Sequence, residues 1–306
     1  MKMKNVIICD FDETITNRDT ISILGQLPYY CKPGSKPEWS HFTDTYIQNY
    51  ERFHQGSLGH LSQRSLPLLK SSGSVITTSN FKTFFEDELN YQKDARRLEM
   101  SSTNEMAKYR IFANITFSDV SRFAKKKLEE QCFSVRKGFN EFMLPIPKDD
   151  LYVISVNWSG EFIEASIGNN IIAREHIYCN QLLSANTVYT GDFSNRLLTG
   201  ADKVDVLEDI LTDREPSSAR FWYIGDSETD LLNILHPEVN GVLLIDPVQN
   251  ESKFKKLSLE ILGLNQKIID QFIDDKDSGW LQCYEKNDYN SIFLAKSWSD
   301  LKNIHL

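Results

Sequence analysis

The sequence is poor in features that would place it in an oxidising compartment or in a membrane. It has five cysteines, an odd number, and no two of them form a C-x-x-C pair, so neither a disulfide framework nor a zinc–thiolate site is expected. The first apolar run, residues 6–9, is too short for a signal peptide, and no run approaches the length of a membrane span. We therefore predict a cytoplasmic protein.

Positive charge and nucleotide-binding motifs are also scarce. With 34 Lys and Arg against 43 Asp and Glu, the net charge is −9 at pH 7, which disfavours nucleic acid or an anionic membrane as the main partner. Neither the P-loop pattern G-x-x-x-x-G-K-[ST] nor the dinucleotide pattern G-x-G-x-x-G occurs. We therefore expect no nucleic-acid partner and no membrane partner.

The sequence does contain short apolar runs that each end on a polar residue. They are "NVIICD" (5–10), "LYVISVN" (151–157), "RFWYIGD" (220–226) and "GVLLID" (241–246), with amphipathic helical patterns between the later ones. Strands that alternate with helices favour a parallel sheet covered on both faces. Residues 176–184 add a candidate strand, and residues 291–304 a candidate edge strand followed by a final helix.

The interval between the first two runs does not follow this alternation. It is far longer than an ordinary loop, and its patterns are helical, so we predict an inserted helical domain. The predicted division is a core formed by residues 1–16 and 146–306 and a helical cap formed by residues 17–145. A chain of 306 residues is long enough for two such domains.

Two acids follow the first run directly, as Asp10-Phe11-Asp12. If the run is a parallel strand, both carboxylates lie at the carboxyl edge of the sheet, where open α/β folds bind ligands. Two anions this close repel each other, and Mg²⁺ is a suitable partner for their oxygens. By itself, however, a D-x-D pattern is more typical of a strand end whose acid caps a helix, so its meaning depends on signals downstream.

The downstream signals are Ser155 at the end of the second run, Lys203 at the start of a helix, and "GDSETD" (225–230) at the end of the third run. In this order the sequence resembles the haloacid dehalogenase (HAD) superfamily of phosphatases, over about three-quarters of the chain. The four signatures are Asp10-x-Asp12-x-Thr14, Ser155, Lys203 and Gly225-Asp226-Ser227-x-x-Asp230. The resemblance implies a doubly wound, Rossmann-like α/β core, and members related to phosphoserine phosphatase carry a helical cap at the position of the insertion.

The resemblance and the needs of phosphoryl transfer suggest a role for each residue. Asp10 is the expected nucleophile, which forms an aspartyl-phosphate, and Asp12 is the expected general acid and base. The phosphoryl oxygens would be held by Ser155, Lys203 and Thr14. Mg²⁺ would be held by Asp10, Asp12 (through its backbone carbonyl), Asp226 and Asp230.

Several of these residues also have an ordinary structural explanation. From position alone, Ser155 is expected to cap a turn and Lys203 to be solvated, although a lysine in the first turn of a helix opposes the macrodipole. Ser227-x-x-Asp230 is a capping-box pattern that begins a helix without any metal, so both roles of Asp230 stay open. Glu13 departs from the superfamily, in which this position is commonly glycine or serine.

The expected substrate is a small phosphorylated metabolite, because a cap of this size would close over the site. In phosphoserine phosphatases an acidic residue nine positions after the nucleophile binds the substrate's amino group, and Asp19 has this spacing from Asp10. The alternative is that Asp19 is only a helix N-cap.

Two motif resemblances refine the substrate. "DFDETI" resembles the first motif of phosphoethanolamine/phosphocholine phosphatases, and "YIGDSETDLL" resembles the fourth motif of thiamin monophosphate phosphatases. All three substrates carry a cation. Asp19 would recognise it, together with aromatic residues such as Tyr29, Tyr30 or Trp39.

Three functions are alternatives to a phosphatase. A dehalogenase on the same fold would need neither a metal nor an acid for an alkoxide, so the presence of Asp12 and Asp226 disfavours it. A phosphotransferase that uses the same aspartyl-phosphate stays open. A non-catalytic binding protein on a phosphatase fold is disfavoured by the full set of signatures.

Overall fold

The structure is a computed structural model that describes residues 4–56, 62–69, 75–168, 171–214, 219–275 and 277–302. Within these ranges, nine strands form one seven-stranded sheet and one two-stranded hairpin. They are β1 (Lys4–Cys9), β2 (Leu151–Ser155), β3 (Ile177–Cys179), β4 (Leu182–Ala185), β5 (Val188–Phe193), β6 (Ala219–Gly225), β7 (Asn240–Leu244), β8 (Trp280–Glu285) and β9 (Ser291–Ala295).

The large sheet has the order β3-β2-β1-β6-β7-β9-β8. Its neighbouring strands run parallel, except for β8 and β9, which are antiparallel. β1 lies between β2 and β6, so that Cys9 is opposite Val153 on one side and Ile224 on the other. The strands that precede the predicted site residues are therefore adjacent, and they end at the same edge.

Both faces of the sheet are covered, which explains why its strands are continuous apolar runs. Val6 and Ile8 of β1 point into one hydrophobic cluster, and Ile7 and Cys9 point into the other. This is the alternation expected of a strand. All four side chains are fully buried, so the first run forms the centre of the core.

Thirteen α-helices are assigned in the described part of the chain, and none of them is both long and apolar enough to span a bilayer. Those between β1 and β2 are α1 (Ile21–Leu24), α2 (Leu27–Cys31), α3 (Trp39–His54), α4 (Phe81–Phe84), α5 (Glu86–Lys108), α6 (Phe117–Glu129) and α7 (Phe139–Met143). The later ones are α8 (Gly160–Ile167), α9 (Gly200–Asp213), α10 (Leu231–Leu235), α11 (Glu251–Lys255), α12 (Gln266–Asp274) and α13 (Trp298–Leu301). A π-helical turn, Lys256–Ile261, continues α11. The predicted doubly wound α/β core with an inserted helical region is confirmed.

The inserted region contacts both hydrophobic clusters of the sheet. Phe123 of α6 belongs to one cluster, whereas Phe81, which begins α4, and Phe85, which follows it, belong to the other. The two connections between the insertion and the sheet run side by side, with the N–H of Arg136 donating to the carbonyl of Ile15 at 2.7 Å. The exact division between core and cap is still a prediction.

Two strand predictions need correction. Residues 176–184 do not form one strand, because β3 ends at Cys179 and Leu182 begins the hairpin of β4 and β5. β9 is not an edge strand, because β8 pairs with its outer side. The sequence of β8, "WLQCYE", is only partly buried and has no continuous apolar run that would reveal it. The final helix, α13, was predicted, although residues 303 and 304 of that prediction lie outside the described residues.

The C-terminal end supports the loop between β1 and α1. Trp298, at the start of α13, is fully buried and packs against Phe139 and Phe142 of α7. Its indole N–H donates to the backbone carbonyl of Thr14 at 2.8 Å. A residue 284 positions further along the chain therefore helps to fix the loop that follows the first strand.

We expect Trp298→Phe to lower the free energy of unfolding by about 1–3 kcal/mol, because the buried carbonyl of Thr14 loses its donor and a space opens beside α7. Urea denaturation followed by circular dichroism measures the loss. Trp280→Phe, at a half-buried position on β8, is the matched control and should cost clearly less. Equal losses in the two variants would contradict the anchoring role of Trp298.

Candidate active site

Three carboxylates meet at the carboxyl edge of the sheet. Asp10 follows β1, Asp226 follows β6, and Asp230 lies in the turn after β6. One oxygen of each lies within 4.8 Å of the other two, and each residue is at most 5% exposed. Three buried anions are unfavourable together unless cations compensate them.

Lys203 supplies one of these cations. Its side chain is fully buried, and its ammonium lies 3.0 Å from Oδ2 of Asp10 and 2.7 Å from Oδ1 of Asp230. Burial alone would lower the pKa of Lys203, but these two carboxylates raise it, so the lysine is protonated and the idea of a solvated lysine is wrong. A capping box between Thr199 and Asp202 fixes the start of α9 and so aims the lysine at the acids.

Asp230 begins a helical turn, which was one of its two open roles. Its Oδ2 accepts hydrogen bonds from the N–H of Ser227 at 3.1 Å and from the hydroxyl at 2.7 Å. Its Oδ1 accepts from Lys203 at 2.7 Å and from the hydroxyl of Tyr223 at 2.8 Å. Burial would raise the pKa of Asp230, but these donors, Lys203 foremost, lower it. Both oxygens of Asp230 thus accept hydrogen bonds from protein donors, and its role in metal binding stays a prediction.

Asp226 is held by a hydroxyl group and by a lysine. Its Oδ1 accepts from the hydroxyl of Thr14 at 2.5 Å, and its Oδ2 forms an ion pair with Lys253 of α11. Burial raises the pKa of Asp226 to about 6 in spite of that lysine. Lys253 was not predicted from the sequence, because a lysine close to Lys255 and Lys256 is typical of a solvated face.

Asp12 lies in a separate hydrogen-bonded environment. Its Oδ1 accepts from the N–H of Thr20 at 2.7 Å and from the hydroxyl at 2.5 Å, and its Oδ2 accepts from the amide of Asn157 at 3.0 Å. Burial, followed by the charge of Asp19, raises the pKa of Asp12 to about 6. A carboxyl group with this pKa can both donate and accept a proton near neutral pH. Thr20 and Asn157 were not predicted, and the polar end of "LYVISVN" was the one available signal.

Ser155 ends β2, the strand beside β1, and is fully buried. Its Oγ accepts from the N–H of Asn157 at 3.1 Å, so it caps the turn there, as its position alone suggested. The hydroxyl of Thr14 is likewise engaged, with Asp226. Contacts of Ser155, Thr14 and Lys203 with phosphoryl oxygens are therefore still predictions.

A cavity of about 400 Å³ opens beside Asp19. Its walls include four aromatic rings, those of Trp39, Phe42 and Tyr46 from α3 and of Trp158 from the turn after β2. The rings of Trp39 and Trp158 are edge to face, with centroids 6.3 Å apart. Among the described residues, no lysine or arginine lines this cavity.

Two carboxylates line the same cavity. Asp19 accepts from the N–H of Ile21 at 2.8 Å, so it does help to begin α1, but it also contributes to the cavity wall. Glu99 of α5 lies on the wall as well and accepts from the hydroxyl of Tyr46 at 2.9 Å. Burial raises the pKa of both carboxyl groups, which indicates that a cationic ligand would stabilise their ionised forms.

The expected aromatic wall is only partly right. Trp39 lines the cavity, but Tyr29 and Tyr30 lie beside Phe123 and Lys127 in a separate cavity. Trp39 lines both cavities and separates them. Trp158 contributes a further ring to this wall.

No family model matches the chain. It is 44% identical over 316 residues to "Cold tolerance protein 1" of Saccharomyces cerevisiae, covering 99% of this chain and 98% of that protein. It is also 28% identical over 261 residues to a CTO1 family protein of Schizosaccharomyces pombe, covering 79% of each.

Solved structures with a similar fold include phosphatases. A phosphoserine phosphohydrolase-like protein from Francisella tularensis has 14% identity and a TM-score of 0.47, covering 99% of this chain and all of that one. A phospho-aspartyl intermediate analogue of phosphoserine phosphatase has 14% identity and a TM-score of 0.41, covering 82% and 91%. Cytosolic 5'-nucleotidase IIIB bound to cytidine has 14% identity and a TM-score of 0.45, covering 85% and 79%. Because 99% of this chain aligns with cold tolerance protein 1 at 44% identity, the chain belongs to the CTO1 family.

Proposed function

We propose that the protein is a Mg²⁺-dependent phosphatase that hydrolyses a small phosphate monoester through an aspartyl-phosphate on Asp10. The observation that carries this proposal is the buried group of Asp10, Lys203 and Asp226 at the sheet edge. Phosphoryl transfer depends chiefly on positioning and on the neutralisation of charge. A fixed carboxylate with a fixed ammonium 3.0 Å away supplies both.

The proposed metal ligands are Asp10, Asp226 and the backbone carbonyl of Asp12, with Asp230 behind them. Carboxylate and carbonyl oxygens are the donors that Mg²⁺ prefers. Burial raises the pKa of both Asp10 and Asp226 even though each has a lysine beside it, which indicates a shortage of positive charge. When bound, Mg²⁺ would neutralise charge on the carboxylates and on the phosphate.

The proposed reaction has two steps. An oxygen of Asp10 attacks phosphorus while the bond to the leaving oxygen breaks, and Asp12 gives its proton to that oxygen. Asp12, now ionised, then takes a proton from water, whose oxygen attacks phosphorus and releases Asp10 and phosphate. Thr20 and Asn157 would hold the carboxyl group of Asp12 in place during both steps.

The proposed leaving group carries a cation. The charge of Asp19 contributes to the raised pKa of Asp12, so the two carboxyl groups are near each other. A leaving group that Asp12 protonates would therefore extend toward the cavity that Asp19 lines. Two carboxylates, aromatic rings and no described basic residue favour a positively charged group there. Thiamin monophosphate, phosphocholine and phosphoethanolamine all have this feature.

We expect Asp10→Asn to abolish turnover, because an amide is not a nucleophile. Rapid acid quench with a ³²P-labelled substrate, followed by peptide mapping, should place the label on Asp10 in the wild type. Asp192→Asn, in the exposed hairpin, is the control and should keep full activity. Excess EDTA should abolish the activity of both the wild type and Asp192→Asn. Labelled phosphate on another residue would disprove the covalent step at Asp10.

The proton transfers should give a distinctive pH dependence. Because the pKa of Asp12 is about 6, single-turnover phosphorylation by an alkyl phosphate, which needs protonated Asp12, should fall as pH rises through that value. p-Nitrophenyl phosphate needs little protonation of its leaving group, so it should lack this falling limb. Asp12→Asn should remove the limb and slow turnover of the alkyl phosphate by about 10²–10⁴-fold. The same pH profile for both substrates would contradict general acid catalysis by Asp12.

We expect Asp19→Asn and Glu99→Gln to raise KM for a cationic substrate such as phosphocholine by about 5- to 10-fold each, since each removes one charge partner. KM for p-nitrophenyl phosphate, which has no cation, is the internal control and should change little. Steady-state kinetics on both substrates measures the difference. Parallel changes on the two substrates would mean that these carboxylates only support the local structure.

A further inference from the structure

Lys253 occupies the position of a cation at the proposed metal site. Its ammonium bridges Oδ2 of Asp226 and Oε2 of Glu13, the second at 2.7 Å. The side chain of Asp226 is only 3% exposed, whereas that of Lys253 is 30% exposed. The lysine therefore reaches from the surface to the carboxylate that the proposed Mg²⁺ needs.

We propose that Lys253 is a competing cation, which compensates Asp226 in the metal-free protein and must leave it before Mg²⁺ can bind. This inference rests on the proposed metal site. Oδ1 of Asp226 accepts a hydrogen bond from Thr14, so Oδ2 is the oxygen that remains for a metal. An ammonium and Mg²⁺ repel each other and cannot share that oxygen at contact distance. Binding of one therefore excludes the other.

Glu13 gives the displaced ammonium a second partner. Glu13 has φ of 56°, a left-handed conformation that glycine adopts more easily than glutamate. Its side chain is half exposed, in contrast to that of Asp226. Lys253 can therefore keep its ion pair with Glu13 while it releases Asp226.

The surroundings leave space for this movement. Lys253, Glu13 and Asp226 all line a polar cavity of about 310 Å³. A displaced ammonium would have Glu13 and Asp246 as its anionic partners in this cavity, which is also lined by the cations Arg136, Lys137 and Lys296. The lysine side chain can then move without unfolding α11.

The competition has two measurable consequences. Removing the lysine charge should strengthen Mg²⁺ binding, and it should weaken the metal-free protein, which loses the compensation of a buried carboxylate. Lys256 is a suitable control, because it lies in the next part of the same helical segment and pairs with Glu228 at 2.5 Å, away from Asp226. Loss of the charge at Lys253 should therefore raise the affinity for Mg²⁺ and lower the stability of the metal-free protein, whereas loss of the charge at Lys256 should not produce this pair of changes.

Isothermal titration with MgCl₂ and thermal melting in EDTA test the proposal on wild type, Lys253→Met and Lys256→Met. We expect Lys253→Met to bind Mg²⁺ at least about tenfold more tightly, as expected from removal of one adjacent positive charge, and to melt at a lower temperature in EDTA. Lys256→Met should match the wild type in Mg²⁺ affinity. Equal or weaker Mg²⁺ binding by Lys253→Met would overturn the proposal and leave the metal site intact. No Mg²⁺ binding by the wild type or by Lys253→Met would overturn the metal site itself.

A second measurement uses the wild type alone, in case Lys253→Met fails to fold. Acylation of lysines by an N-hydroxysuccinimide ester, quantified by mass spectrometry, reports how accessible each ammonium is. Mg²⁺ should raise the labelling of Lys253 several-fold and leave that of Lys256 unchanged. Labelling of Lys253 that does not respond to saturating Mg²⁺ would also overturn the proposal.

Discussion

The buried ammonium of Lys203 is the interaction on which the site depends. It is fully buried between Asp10 and Asp230, and a buried ion of this kind is tolerated only when its partners are in place. The three residues come from α9, from the end of β1 and from the turn after β6. The charge balance therefore fixes these elements relative to one another, in the same way that apolar packing fixes the sheet.

Electrostatics also explains why the site is divided into two environments. Asp10 and Asp226 lie among lysines, whereas Asp12 is held by the neutral donors Thr20 and Asn157. Burial raises the pKa of Asp10, Asp12 and Asp226 alike, so the two environments differ in the charge of the partners and not in the direction of this shift. Two aspartates only two residues apart thus have different partners, an ammonium for Asp10 and hydroxyl and amide groups for Asp12.

The fold followed from the sequence where the signal is local. Apolar runs with polar ends predicted β1, β2, β6 and β7, because a continuous apolar run too short for a helix is typical of a strand buried on both faces. The edge strand β8 was missed for the opposite reason, since its partly exposed residues are mixed. A strand at the edge of a sheet leaves little trace in composition.

The site was less predictable than the fold. Motifs indicated Asp10, Asp12, Lys203 and Asp226, but the partners Asn157 and Lys253 depend on how distant segments pack. Lys253 contacts Asp226 from a helix whose other lysine, Lys255, faces solvent, and spacing along the chain does not distinguish the two. Such contacts are properties of the tertiary structure alone.

The hydrogen bond between Trp298 and Thr14 has a consequence for the order of folding. These residues are 284 positions apart, so the loop beside Asp10 gains this support only when two segments distant in sequence have met. Contacts of such long sequence separation form late, after the loop-closure entropy has been overcome. The pairing of β1 with β2 and β6 spans fewer residues, so the loop beside Asp10 would be among the last parts of the fold to take its final conformation.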